Sequence, residues 1–213
     1  VGKDLRVEMQ AKFSQQTTTF KNYSKYVFDD LTRQFNTEEI NVFSGKTDGF
    51  GRASVSIQPK LQGQAPGMLK AAFITKVYEE GGDFSTDVMA TTYSPYKTYV
   101  GIKSPEPNKY GMLETGTENK FDIVTVDENG RPKPGKNLEV KIYKVEWRWW
   151  WDASEDLSDY NSSTATTSYK TFRINTNSQG KGNVQFALTD EEWGRYLIRV
   201  TDPVSGHATS LTV

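Results

Sequence analysis

The sequence of 213 residues has no cysteine and a single histidine, His207. Without cysteine the chain has no disulfide, thiolate metal site, cysteine nucleophile or thioester. A metal site built around one imidazole would depend on carboxylates, and no Gly-x-Ser-x-Gly motif is present to pair a reactive serine with His207. Since His207 directly follows the turn sequence Pro203–Gly206, we predict that it is a turn or packing residue.

An excess of charge of one sign and a long apolar run are also missing. Residues 1–96 carry 11 basic and 11 acidic side chains, and residues 97–213 carry 15 and 16. Such balance offers no basic surface to nucleic acid or to an anionic membrane. No stretch approaches the ~20 apolar residues that cross a bilayer, and the N-terminus has no signal-peptide core. We expect no nucleic-acid partner and no direct membrane contact from this segment.

What the sequence does contain is a pattern that occurs twice. In each copy a Gly-rich turn leads to a strand, a loop, a second strand, a turn and a third strand, and the copies begin at Thr47 and Thr176. The spacing of about 130 residues is roughly one small domain, which favours two all-β modules in tandem.

Short alternating apolar runs indicate the form of these modules. Six or seven short strands precede Ser94, among them Ser54–Gln58, and an acidic turn is predicted at Asp29-Asp30. Their number and spacing suit an antiparallel β-sandwich. In the second module, Asn129-Gly130 is predicted to supply the positive φ angles of a turn. Pro95 interrupts the pattern, so we place the boundary near residue 96. The prediction is a sandwich over 1–96 and a second over 97–213, the latter with a long polar loop at 152–168.

A strand predicted from Leu138 to about Trp151 carries the sharpest local signal. Its apolar residues change from even to odd positions, which indicates a β-bulge near Ile142 to Lys144 or a strand covered on both faces. Within the Trp147–Trp151 run, core packing is one interpretation and an aromatic binding platform is the other. For the platform we predict a possible interaction surface formed by Trp150, Arg148 and Glu146.

Two sets of acidic residues have features of a chemical site. The acids of the 152–168 loop fail as an EF-hand, because position six is Leu157 and position twelve is Ser163. Glu146 and Asp122 form a conceivable glycosidase pair, but acids are common on strand faces. We therefore predict no catalytic, cofactor-binding or metal-binding residue, and no cofactor.

Several motifs in a fixed order resemble a known family. They are Glu79–Ser85, Tyr93–Tyr96, Tyr99–Ile102, Trp147–Trp151, Trp193–Tyr196 and Asp202–His207. Together they resemble the bacterial alpha-2-macroglobulin family, in particular its form in Bacteroides-like bacteria. The resemblance implies two consecutive macroglobulin-type, fibronectin- or immunoglobulin-like sandwich domains from a chain several times longer.

The resemblance also implies a function. The family traps proteases when a bait region is cleaved, and this chain would be a non-catalytic structural segment of such an endopeptidase inhibitor. Its partners would be neighbouring macroglobulin domains, and target proteases would be met only through the full-length protein, in the periplasm or cell envelope on a lipid-anchored parent. The alternative is a carbohydrate- or protein-binding module of a cell-surface assembly, which would use the Trp147–Trp151 run.

Overall fold

A computed structural model describes residues 4–35, 39–57, 59, 61, 63–135, 137–145 and 168–213. The chain divides into two compact units. The first comprises Val1–Gln16, Phe35–Leu61 and Leu69–Tyr93, and the second comprises Thr17–Gln34, Gln62–Met68 and Ser94–Val213. Strands dominate the described part of both units, and all of its strand pairings are antiparallel, which confirms the prediction of an all-β, antiparallel fold.

The first unit is built on one four-stranded sheet. Its strands are β1 (Arg6–Gln15), β2 (Ile40–Lys46), β3 (Leu69–Tyr78) and β4 (Phe84–Tyr93), in the order β2-β1-β3-β4. Alternation places Val7, Ala11 and Phe13 on the buried face of β1, as period-two patterning requires. The strand predicted at Ser54–Gln58 is not formed over residues 54–57. All but the last of these residues are exposed, so the alternating side chains have no facing surface to pack against.

The second unit contains two sheets. Their strands are β5 (Tyr99–Lys103), β6 (Asn119–Val126), β7 (Leu138–Val145), β8 (Lys170–Ile174), β9 (Lys181–Phe186), β10 (Arg195–Thr201) and β11 (Ala208–Thr212). One sheet has the order β11-β10-β7-β8 and the other β5-β6-β9. Buried side chains from both sheets, among them Ile123, Val140 and Ile198, form a single hydrophobic core. Short 3-10 turns occur at Lys21–Tyr23 and Asp190–Glu192.

The described part of β7 has no bulge. Its pairing with β10 runs without a shift from Glu139 to Val145, and its even positions Leu138, Val140 and Ile142 are fully buried. Tyr143 on the opposite face is half-buried, so this face is also partly covered. The bulge prediction is therefore wrong for this range, because side chains on both faces have neighbours and no insertion is needed.

The duplicated pattern corresponds to a repeated hairpin. In the first copy β3 and β4 pair across the Gly81-Gly82 turn, and in the second β10 and β11 pair across the turn at Gly206. Each hairpin follows a turn closed by an Asx side chain, at Asp48 and at Asn177. The copies differ in the strand after that turn, since β9 is present in the second copy and has no counterpart over 54–57.

The Asx turn occurs four times in the described residues. In each, one side-chain oxygen accepts hydrogen bonds from the backbone N–H groups two and four residues later, and a glycine in third place after the Asx has a positive φ. The turns begin at Asp48, Asn108, Asp127 and Asn177. In the turn after Asp127, Gly130 alone takes a positive φ, of 77°. A turn with one left-handed residue and a bulge thus replaces the predicted pair of left-handed residues at Asn129-Gly130.

Residues 17–34 and 62–68 pack with the second unit although they precede the predicted boundary at residue 96. The clearest contact is at Gly101 on β5, where the buried ring of Phe28 lies directly against the glycine backbone. A Cβ at this position would lie 2.5 Å from Phe28 Cε1 and 2.7 Å from its Cζ. Glycine is required here because no larger residue leaves room for the ring.

We expect Gly101→Ala to lower the free energy of unfolding by about 1–3 kcal/mol, since overpacking a closed core displaces side chains or backbone. Gly81→Ala is the matched control, because a Cβ there meets nothing within 4 Å. Chemical denaturation monitored by circular dichroism measures both. Equal stabilities of the two variants would contradict the close contact with Phe28.

Candidate functional site

The surface predicted from the tryptophan run is not described by the structure. Trp150, Arg148 and Glu146 all lie outside the described residues, as does the polar loop up to residue 167. Asp122, the partner considered for Glu146, is half-exposed on β6 and forms ion pairs with Lys103 and Lys120. The interaction surface stays a prediction.

Buried polar groups of the second unit gather instead around Asp30. We call Asp30, Thr32, Arg33, Arg199 and Ser210 the Asp30 cluster. The Asp30 side chain is inaccessible to solvent, and those of Arg33 and Arg199 are less than one-fifth exposed. Charged groups are seldom buried unless they are paired, so this cluster is the most unusual chemistry in the described part of the chain.

The carboxylate of Asp30 is fully partnered. Its Oδ2 accepts hydrogen bonds from Arg199 Nε at 3.0 Å and Nη2 at 2.8 Å, and lies 3.3 Å from Arg33 Nε. Its Oδ1 accepts from Thr32 Oγ1 at 2.8 Å and from Ser210 Oγ at 3.1 Å. Burial alone would raise the pKa of Asp30, but the hydrogen bonds and charge of Arg199 outweigh it and hold that pKa below its usual value.

Backbone hydrogen bonds hold Asp30 in this position. Val27 pairs with Ile102 at the outer edge of β5, with both N–H···O distances 2.9 Å. Asp29 C=O accepts from Ser210 N–H of β11 at 3.1 Å, and Leu31 N–H donates to Ser210 Oγ at 2.7 Å. The segment around Asp30 therefore covers an edge strand of each sheet of the second unit, satisfying groups that would otherwise be unpaired.

Arg33 connects three further segments of the second unit. Its Nη1 donates to Tyr96 Oη at 3.0 Å, to Ala65 C=O at 3.3 Å and to Gly206 C=O at 3.2 Å. The planar guanidinium presents several donors in fixed directions, which suits this role better than an ammonium group would. One side chain thereby fixes residues before β5 and the turn between β10 and β11.

His207 lies beside the cluster and is completely buried. Its Nδ1 accepts a hydrogen bond from Val100 N–H at 3.0 Å, and its ring packs against Tyr96 and Tyr99 with centroids 4.9 and 4.7 Å apart. Burial, and then the charge of Arg33, lower the pKa of His207 to about 3. The imidazole is therefore neutral at physiological pH, and the predicted packing role of His207 is confirmed.

This arrangement stabilises structure and offers nothing to a substrate. The carboxylate is neutralised by two guanidinium groups, and the imidazole has neither solvent access nor a carboxylate partner to support base catalysis. Within the described ranges, no group of three His, Cys, Asp or Glu side chains is placed to hold a metal ion. Nor is any helix in those ranges long and apolar enough to span a membrane.

Sequence reasoning placed Asp29-Asp30 in an acidic turn and missed the cluster. Asp30 and Arg199 are 169 residues apart, and neither residue stands in a motif that indicates the other. The available signal was the apolar setting of the pair, since Tyr26 and Phe28 precede two adjacent acids. Acidic residues that follow aromatic core residues suggest a buried interaction partner, but they do not identify that partner.

The second half of the chain identifies the protein family. Residues 101–213, just over half of the sequence, match the family model described as Bacterial macroglobulin domain 6. The chain belongs to the bacterial alpha-2-macroglobulin family. This range contains β6 to β11 and the two residues, Arg199 and Ser210, that bind Asp30 from the strands.

Bacterial alpha-2-macroglobulins are also the relatives found by sequence. The protein from Xylella fastidiosa (strain Temecula1) is 25% identical over 130 residues, which are 61% of this chain and 8% of the relative. The Escherichia coli K12 protein is 22% identical over 193 residues, covering 84% of this chain and 11% of the relative. The chain thus spans about a tenth of the length of these alpha-2-macroglobulins.

Solved alpha-2-macroglobulins share the fold. Trypsin-activated E. coli alpha-2-macroglobulin matches 99% of this chain and 14% of that chain, with a TM-score of 0.61 and 17% identity. The native conformation of the E. coli protein matches with the same coverages, a TM-score of 0.56 and 18% identity. At such low identity the agreement concerns the path of the backbone.

We expect Asp30→Asn to lower the free energy of unfolding by about 3–5 kcal/mol, because two buried guanidinium groups lose their counter-charge. Asp122→Asn removes a carboxylate from two partly exposed ion pairs, so its effect should stay below about 1 kcal/mol. Urea denaturation at pH 7.5 compares the two variants. Similar losses of unfolding free energy would show that the buried Asp30 ion pair contributes no more to stability than the partly exposed pairs of Asp122.

We expect His207 to make the fold sensitive to acid. Its folded-state pKa of about 3 lies below the ordinary value of 6.5, so its contribution is complete above pH 6.5 and is lost as the pH falls towards 3. His207→Asn keeps an acceptor for Val100 N–H and cannot titrate. Between pH 7.5 and 5.0 the wild type should lose about 2 kcal/mol more than this variant. Parallel pH profiles of unfolding free energy would contradict the buried neutral imidazole.

Proposed function

We propose that the chain is a non-catalytic structural segment of a longer bacterial alpha-2-macroglobulin that traps proteases. The observation that carries the proposal is the match of residues 101–213 to a macroglobulin domain, in a chain that spans about a tenth of its curated relatives. Such a short span of a large protein accounts for one part of a framework. It does not account for a complete inhibitor.

The chemistry of the described residues supports a structural role. Two deeply buried ionisable groups of the second unit, Asp30 and His207, form hydrogen bonds with other parts of the same unit. Both are closed to solvent, so neither is available to a protease or its substrate. The segment would hold neighbouring macroglobulin domains of the parent in place and change position with them.

The remaining features of the proposal follow from the family. We infer two macroglobulin-type domains with a boundary near residue 96, the second of which receives residues 17–34 and 62–68. Proteases would be engaged only through the full-length protein, and the E. coli relative has been solved in a trypsin-activated form. The parent would be a lipid-anchored protein of the periplasm or cell envelope. The family match does not favour the alternative of a carbohydrate- or protein-binding module.

Two assays test the proposal. The isolated chain, mixed with trypsin at equal concentrations, should leave the rate of casein hydrolysis unchanged, because a framework segment has no inhibitory residue. In the parent protein, Asp30→Asn should reduce protection of casein from trypsin, while Asp122→Asn should preserve it. Inhibition by the isolated chain, or full protection by a parent whose second unit has been destabilised, would contradict the structural role.

A further inference from the structure

One face of the four-stranded sheet in the first unit is strongly basic. Directly paired residues of antiparallel strands share a face, so the registers of β1 to β4 fix the composition of each side. All the basic residues of these four strands lie on the face opposite to Val7 and Phe13, namely Arg6, Lys12, Lys46, Lys70 and Lys76. Of the two acids on these strands, Glu8 shares this face and Asp87 lies on the other. Five positive charges and one negative charge give this surface, which we call the basic face, a net charge of +4.

Most positive charges of the basic face have no carboxylate partner. Glu8 is already engaged, because it forms an ion pair with Arg6 and accepts a hydrogen bond from Tyr78 Oη at 2.8 Å. Within the described ranges, none of the ion pairs includes a lysine of this face. Lys76 lies over the ring of Phe84, with its Nζ 5.6 Å from the centroid, and the other three lysines are exposed. The face therefore offers four lysines to an acidic partner.

Apolar side chains occupy the middle of the basic face. Ile74 pairs with Val88, and Ala72 pairs with Ala90, so these four side chains form one patch across β3 and β4. Val88 is 63% exposed. On β3 a lysine stands two residues beyond the patch at either end. A charged rim around an apolar centre is the usual anatomy of a contact between proteins.

The extent of the charged region favours a protein over a larger polyanion. Residues 1–96 carry equal numbers of basic and acidic side chains, so their total charge provides no long-range attraction to nucleic acid or to an anionic membrane. Glu79, Glu80 and Asp83 lie in the turn between β3 and β4, at one end of the same sheet. An extended anionic surface would meet these acids as well as the lysines. A protein surface that places its carboxylates only opposite the lysines avoids this repulsion.

We propose that the basic face binds an acidic surface of another domain of the parent alpha-2-macroglobulin, with carboxylates opposite the lysines and aliphatic side chains on Ile74 and Val88. The inference rests on the proposed framework function, in which neighbouring domains hold one another in place. This chain spans about a tenth of its curated relatives, so most of the parent lies outside the structure and is available to supply the partner. Lysine carries its charge on a flexible stem, which lets such a contact persist through small changes of domain position.

Cross-linking of the purified parent with a water-soluble carbodiimide tests this contact, because the reagent joins an amine to a carboxylate only where the two groups already touch. Peptide mass spectrometry should find Lys12, Lys70 or Lys76 joined to Asp or Glu residues of a domain outside this chain. The cross-links should be lost when the salt concentration rises from about 0.1 M to about 1 M, since the Debye length then falls from about 10 Å to about 3 Å.

Charge reversal tests which residues carry the contact. The parent with both Lys12→Glu and Lys70→Glu should lose the cross-links from Lys76, because the face then repels the acidic partner. Lys21→Glu is the matched control, since Lys21 is an exposed lysine outside the sheet, and this variant should keep the cross-links. Circular dichroism of the isolated chain verifies that each variant folds. Cross-links that survive the double reversal would overturn the proposal.

The outcomes also separate this inference from the proposed function. A parent that protects casein from trypsin but forms no cross-link from the lysines of the basic face would overturn the inference and leave the framework function standing. Cross-links between an isotopically labelled parent molecule and an unlabelled one would overturn it in favour of self-association. Binding of the isolated chain to phosphatidylglycerol vesicles, abolished by the double reversal, would overturn it in favour of a membrane.

Discussion

The ion pair between Asp30 and Arg199 holds the second unit together at the place where two sheets would otherwise present free edges. One carboxylate receives two guanidinium groups and two hydroxyl groups, and its backbone neighbours cover β5 and β11. Burying such charges is tolerable only because every hydrogen-bonding position is used. Loss of either partner would leave uncompensated charge in the interior and free the segment that covers the edges.

The Asp30 cluster provides a physical basis for the proposed framework role in an alpha-2-macroglobulin. In the proposed role, the segment would have to keep its own shape while neighbouring domains change position. Directional hydrogen bonds to a buried carboxylate add to the packed core and fix the positions of the segments that they join. Arg33, which reaches Ala65, Tyr96 and Gly206, extends this rigidity to segments that are distant in sequence.

Local patterns in the sequence were sufficient for the class of fold and for most strands. Alternation of apolar residues located β1, β3, β4 and the strands of the second unit, since strand formation depends on neighbouring residues. The alternation at Ser54–Ile57 predicted a strand that is not formed, because alternating side chains stabilise a strand only where a facing surface buries them. The Asp30 cluster was beyond prediction, because its partners are brought together only by the complete topology.

The position of residues 17–34 in the chain has a consequence for biosynthesis. Asp30 is synthesised about 170 to 180 residues before its partners Arg199 and Ser210. Until then the core that buries Phe28 and Asp30 is incomplete. Contacts between residues that are far apart in sequence slow folding, so aggregation-prone intermediates stay exposed for longer. Correct folding therefore benefits if residues 17–34 are kept from associating with other segments until β11 has been synthesised.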